Sequence, residues 1–217
     1  MKKEIYKCGF AGNKTVINII KTIESFDMIK DGDKILISVS GGPDSTLLTH
    51  LLYLMRPILD LTLYGFCLDH MTRGEESAKD SLFVQKLYRK MDIKLFRKRI
   101  NVKKWCKSNR FSFQEGAREL RLKELLEISR KKDIDKIAIG HNADDNIETF
   151  LMNLIRGAGA RGLSGMKPVS GEIIRPLINT FRDDIITYLD NNKISYCMDR
   201  TNVENIYFRN RVRNLII

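Results

Sequence analysis

Proline is scarce in this 217-residue sequence: there are four, and no Pro/Gly/Ser-rich hinge surrounds them. No linker of the usual composition therefore divides the chain. Cysteine is equally sparse. Cys8, Cys67, Cys106 and Cys197 all stand more than four residues apart, so no Cys-x-x-Cys zinc or redox pair exists. With only His50, His70 and His141, a His/Cys metal centre is not expected. No run of 18 apolar residues occurs, so no helix of a length to cross a bilayer is expected, nor a membrane partner. The first ten residues carry charge with no apolar stretch behind them, unlike a secretory signal. A reducing, cytoplasmic setting follows, with an organelle stroma or matrix left open.

What is abundant is positive charge. Lys and Arg total 38 against 27 Asp and Glu, a net of +11. The excess sits in one place. From Lys86 to Lys132 there are 17 Lys or Arg against five acids (Asp92, Glu115, Glu119, Glu124 and Glu127), a net of +12. Either this is a solvated helical face or it meets a polyanion such as nucleic acid.

Hydrophobic spacing predicts alternating strands and helices. A helix is expected over 14–29, a buried strand over 34–39 and a helix over 45–55. A strand over 61–68 and a helix over 75–91 follow, then a short strand over 93–97. Ser112 and Glu115 form a capping box opening a helix to about Lys132. A strand over 134–140, a helix over 144–156 and a fifth strand over 172–177 come next. Thr180 to Asp183 are expected to cap a helix ending near Asn191. This order implies an α/β fold, a Rossmann-like parallel sheet of about five strands with helices on both faces. One domain spans 1–217, from the 14–29 helix to an irregular Arg-rich tail over 194–217.

Open parallel sheets bind ligands where their strands end. Three segments follow strands: Ser40-Gly41-Gly42-Pro43-Asp44-Ser45, then Asp69-His70, then His141-Asn142-Ala143-Asp144-Asp145. In the first, two glycines permit a tight turn with uncovered N–H groups. The next helix aims its positive end at whatever sits there, and Ser40 and Ser45 add hydroxyls. That is a phosphate cradle. An acid in an anion site needs a bridging cation, so Asp44 reads as a Mg²⁺ contact. The P-loop string GxxxxGK[ST] is absent. A GxGxxG string at Gly157, Gly159 and Gly162 follows a helix instead of a strand, which fails the dinucleotide-binding context. Asp145 and Glu148, three apart at a helix start, share a face. His50 reads as packing or surface, and Trp105 as a core or surface aromatic.

The Ser40–Ser45 loop resembles the PP-loop of the ATP pyrophosphatase superfamily, the adenine nucleotide alpha hydrolase-like fold. Further segments resemble the tRNA(Ile)-lysidine synthetases. They are Asp69-His70 with Arg73, Glu76 and Ser77; His141 to Thr149; Arg156 to Met166; Arg175-Pro176-Leu177; Asp199 with Asn202; and Arg209-Asn210-Arg211-Val212-Arg213. Glu115-Gly116-Ala117-Arg118 with Arg121 fits the same family. The resemblance runs over about residues 20–214.

The resemblance implies ATP and Mg²⁺ as cofactors, and tRNA(Ile) with a CAU anticodon plus free L-lysine as partners. C2 of the wobble cytidine would be adenylated with loss of pyrophosphate. The ε-amine of lysine would then displace AMP to give lysidine. On this reading Asp44, Arg118, Arg121, His141, Asp145 and Glu148 are catalytic. Asp145 and Glu148 hold the lysine, and Arg118 or Arg121 contacts the α-phosphate or the cytosine. Ser40, Gly41, Gly42, Pro43, Asp44, Ser45, Asp69, His70, His141 and Gly159 bind ATP, and Asp44 holds the metal. The C-terminal tRNA-binding domains usual in the family are expected to be absent, and a homodimer is left open. The alternatives are thiolation of tRNA by another PP-loop enzyme, a small-molecule adenylating ligase, and a non-catalytic nucleotide- or RNA-binding module.

Overall fold

The computed structural model describes residues 12–71, 75–159 and 162–197. Helix α1 (Lys14–Ser25) starts at Asn13, whose side chain accepts from Val16 N. It stops four residues short of the expected end, because Asp27 turns the chain at φ 44° and sends Met28 and Ile29 into the core. Strand β1 (Lys34–Val39) leads into α2 (Pro43–Met55), which begins two residues before the expected start. Pro43 is its first residue, where a missing N–H costs nothing. Then come β2 (Thr62–Asp69), α3 (Glu75–Lys90) and β3 (Lys94–Arg99).

A helix that hydrophobic spacing did not flag follows, α4 (Val102–Asn109). It is short and Lys-rich, and it buries only Val102 and Cys106, one turn apart. Next are α5 (Phe113–Lys132), with the expected Ser112–Glu115 capping box, β4 (Lys136–Ile139) and α6 (Ala143–Ile155). The expected fifth strand over 172–177 is instead a minimal hairpin, β5 (Val169–Ser170) and β6 (Ile173–Ile174), turned by Gly171 at φ 60°. Helix α7 (Arg182–Asn191) closes the described chain.

The strands form one sheet in the order β3-β2-β1-β4-β6-β5. All neighbours are parallel except β5 and β6. The period-two pleat divides the core into two layers. Ile35, Ile37 and Val39 of β1 face a cluster with α1, α2, α3 and α7. Leu36 faces the opposite cluster with α4 and α5. Gly65 in β2 has a packing reason. A Cβ there would lie 2.2 Å from Cε1 of Tyr88, a fully buried ring whose hydroxyl meets Thr49 Oγ1 at 2.9 Å. Edge strand β3 carries Lys94, Arg97, Lys98 and Arg99, charges that discourage another chain from pairing there. Part of the basic excess is thus structural. Trp105 stacks on Phe111 with centroids 5.5 Å apart and packs against the second layer, and His50 lies beside Tyr188.

Candidate functional site

The ends of β2, β1 and β4 lie side by side, so the three post-strand segments meet. The Ser40–Ser45 loop is held by its own hydroxyls. Ser45 Oγ accepts from Ser40 N at 3.2 Å and donates to Gly42 O at 3.1 Å. Ser40 Oγ accepts from Gly42 N and lies 3.2 Å from Ser45 Oγ. Gly41 takes φ 85°, where a side chain is strained. Its carbonyl accepts from Thr46 Oγ1 and from Cys197 N, which pins residue 197 beside the loop. Gly140 lets β4 approach closely: a Cβ there would sit 3.2 Å from the backbone carbon of Asp44.

Asp44 is held from two sides. Asn142 Nδ2 donates to its Oδ1 at 2.8 Å, and Arg182 Nη1 lies 3.2 Å from its Oδ2. Burial pushes the Asp44 carboxyl above its usual range, opposed by Arg182 and the Asn142 bond and reinforced by the nearby Asp145 charge. Asn142, fully buried, is the N-cap of α6. Its Oδ1 accepts from Asp145 N at 2.9 Å while Asp145 Oδ2 accepts from Asn142 N at 3.2 Å. One amide therefore joins the glycine loop to Asp145 in the first turn of α6.

Asp144, in the first turn of α6, covers the start of α7: its Oδ2 accepts from Arg182 N at 2.8 Å. In return Thr180 O accepts from Ala143 N, the first amide of α6, at 2.9 Å. Thr180 is thus no side-chain cap; the N-cap of α7 is Phe181. Glu148, one turn beyond Asp144 and Asp145, is fully buried. The outer face of α6 exposes Ile147, Phe150, Leu154 and Ile155.

Two Arg–His pairs flank the loop. After β2, Arg121 Nη2 lies 3.2 Å from His70 Nε2. After β4, Arg175 Nε donates to His141 Nδ1 at 3.1 Å, and its Nη1 donates to Lys167 O at 2.7 Å. Burial lowers the pKa of both guanidinium groups, and the charge of Arg118 adds to this in each case. Arg118 Nη2 reaches Met166 Sδ at 3.8 Å, and Met166 N donates to Asn146 Oδ1 on α6. Asp69 accepts from Met71 N and pairs with Arg99 at 3.2 Å.

Most of the expected site residues therefore meet at one sheet edge. Gly159 does not join them by packing: it is exposed, and a Cβ there would meet nothing within 4 Å. Arg73, Asp199, Asn202 and the Arg209–Arg213 run lie outside the described residues. Sequence reasoning quoted Asn142 and Arg175 only as parts of motifs and gave Arg182 no role. The Asn142-x-x-Asp145 spacing was a readable capping box; nothing local marks Arg175 or Arg182.

Among the described residues no three His, Cys, Asp or Glu converge as a metal cage. A single carboxylate at a phosphate-binding loop suits a Mg²⁺ that arrives on phosphate oxygens and keeps its waters. Asp44 fits that role.

The sequence matches the model of the PP-loop domain family over residues 13–217. It is 41% identical over 196 residues to a tRNA(Ile)-lysidine synthase of Clostridioides difficile, covering 90% of this chain and 42% of that protein. It is 39% identical over 199 residues to the one of Caldanaerobacter subterraneus, covering 92% and 43%. The chain thus spans less than half the length of these relatives. Among solved structures, the U34-tRNA thiolase NcsA of Methanococcus maripaludis superposes with a TM-score of 0.70 at 21% identity, over 92% of this chain and 69% of that one. The NH3-dependent NAD synthetase of Campylobacter jejuni superposes at 0.55 and 14%, over 83% and 72%. At such identities the likeness concerns the fold.

Proposed function

The chain belongs to the PP-loop family of ATP-binding domains, and on that premise we propose that it is the catalytic part of a tRNA(Ile)-lysidine synthetase. It joins lysine to C2 of the wobble cytidine of a tRNA with a CAU anticodon. The cytidine O2 attacks the α-phosphorus of ATP, and pyrophosphate leaves. The lysine ε-amine attacks C2, the C2–O bond breaks, and AMP leaves. The observation that carries this reading is the Asn142 bridge, which sets Asp44 of the nucleotide loop beside Asp145 of α6.

Each residue then has work to do. The amide groups at the start of α2 would meet the phosphates, and Asp44 would hold a Mg²⁺ that would supply charge neutralisation. Free lysine is an ammonium with a pKa of about 10.4 and must lose a proton to attack. Asp145 and Glu148 bind that ammonium and take its proton. Arg118 and Arg121, on α5, meet the α-phosphate or the cytosine, and Asp69 and His70 border the adenosine. The basic segment on α4 and α5 faces tRNA phosphates. A homodimer would use the apolar outer face of α6.

The test combines the protein with ATP, Mg²⁺, labelled lysine and a CAU-anticodon tRNA. Label on tRNA, with AMP and pyrophosphate formed, supports the reading. AMP formed only with a different acceptor points to a small-molecule ligase. A C-terminally extended form run in parallel separates failed chemistry from weak tRNA binding.

A further inference from the structure

His141 sits where a general base would be looked for, beside the nucleotide loop and next to the acids of α6. Its surroundings argue for another role. A guanidinium has N–H donors and no acceptor. Arg175 Nε therefore donates to His141 Nδ1, at 3.1 Å, and Nδ1 must hold a lone pair. The neutral ring then carries its proton on Nε2. A proton added at Nδ1 would break the bond and set two cations against each other.

Arg175 is well placed to enforce this. It is buried, and its other side-chain bond goes to the neutral carbonyl of Lys167. Its backbone is fixed as well: Arg175 N donates to Pro168 O at 2.9 Å and Arg175 O accepts from Ile178 N at 3.1 Å. The guanidinium is thus anchored on the β6 side, and the imidazole turns to meet it. His70 and Arg121 repeat the device on the other side of β1 through the other ring nitrogen.

We propose that Arg175 is a positioning residue that locks His141 as the neutral Nε2–H tautomer, making it a hydrogen-bond donor to a phosphate oxygen of the bound nucleotide and removing it as a general base. This rests on the ligase reading for its consequence. With both ring nitrogens committed, the proton of the incoming amine goes to Asp145 or Glu148.

The tautomer is read directly, without substrate. In protein labelled with ¹⁵N-histidine, long-range ¹H–¹⁵N correlations at neutral pH distinguish a protonated from a lone-pair nitrogen; His141→Gln assigns the signals. The expected wild-type pattern is Nε2 protonated and Nδ1 bare. Arg175→Met is expected to give a mixture of tautomers and about tenfold weaker binding of Mg·ATP. Arg175→Lys, which keeps a cationic donor, restores the single tautomer. An Nδ1-protonated or doubly protonated His141 in the wild type overturns the proposal, as does an unchanged tautomer in Arg175→Met. The wild-type spectrum decides the tautomer even if Arg175→Met fails to fold. Failure of lysine transfer with the expected tautomer in place would count against the ligase reading alone.

Discussion

Asn142 Nδ2 donates to Asp44 Oδ1 at 2.8 Å across 98 residues of sequence. The same amide caps α6 through its oxygen, so one side chain performs a local and a long-range task. Asn142→Ser separates them. Serine is an equally good N-cap, so the cap survives and the loss of stability should be confined to the missing Asp44 bond, about 1–3 kcal/mol. Its hydroxyl is too short to hold Asp44 as well, so pyrophosphate release should fall about tenfold or more. Asn142→Ala should lose both the cap and the rate. Chemical denaturation and pyrophosphate release measure the two effects. Equal rates in Asn142→Ser and wild type would deny the bridge a functional role.

Asp44 is expected to be needed for chemistry and unfavourable for the fold. Its folded pKa is raised by burial, so the folded state binds a proton more tightly than the unfolded chain. Its contribution to stability is fully present below the ordinary value of 3.8 and is lost as pH rises through the folded value. At pH 7 the ionised carboxylate therefore costs stability. Asp44→Asn should abolish pyrophosphate release yet melt at or above the wild-type temperature. A thermal melt at pH 7 and at pH 4.5 checks this: the advantage of the variant should shrink at the lower pH.

Gly65→Ala should destabilise the protein by more than the 1–3 kcal/mol usual for overpacking. The new Cβ would sit 2.2 Å from a Tyr88 carbon, and Tyr88 is enclosed by the core. Tyr88→Phe, which loses only the bond to Thr49, should cost about 1 kcal/mol. Urea unfolding of the two variants ranks them, and the opposite ranking would contradict the packing.

Helix α4 exposes Lys103, Lys104 and Lys107. If they meet tRNA phosphates, replacing all three with Gln should weaken tRNA binding and flatten its salt dependence. The log–log slope should drop by roughly 0.7–0.9 for each phosphate no longer neutralised. Mg·ATP binding should be unchanged. A filter-binding series across salt concentrations gives the slope, and an unaltered slope would move the tRNA elsewhere.

Much of the fold was readable along the chain. The β-branched run 34–39, the two glycines after it and the Ser112–Glu115 capping box are local features, and local geometry decides them. What could not be read was short or conflicted. Helix α4 buries two residues, too few for a periodic signal. The 172–177 segment has strand composition, but Gly171 and the β4 pairing leave it two residues of ladder.

Propensity, capping and spacing act over a few residues, and they are enough to set the alternation of strands and helices, the glycine loop and the acids near the start of α6. What those groups touch is set over far longer separations. Arg182 reaches Asp44 across 138 residues, Asn142 across 98, and Arg175 reaches His141 across 34. Those contacts follow from setting β4 against β1 and β6 against β4 in the sheet, and α7 against α2, choices made by the whole core and by no single segment. A side chain's partner, and with it the state of Asp44 or His141, depends on that order.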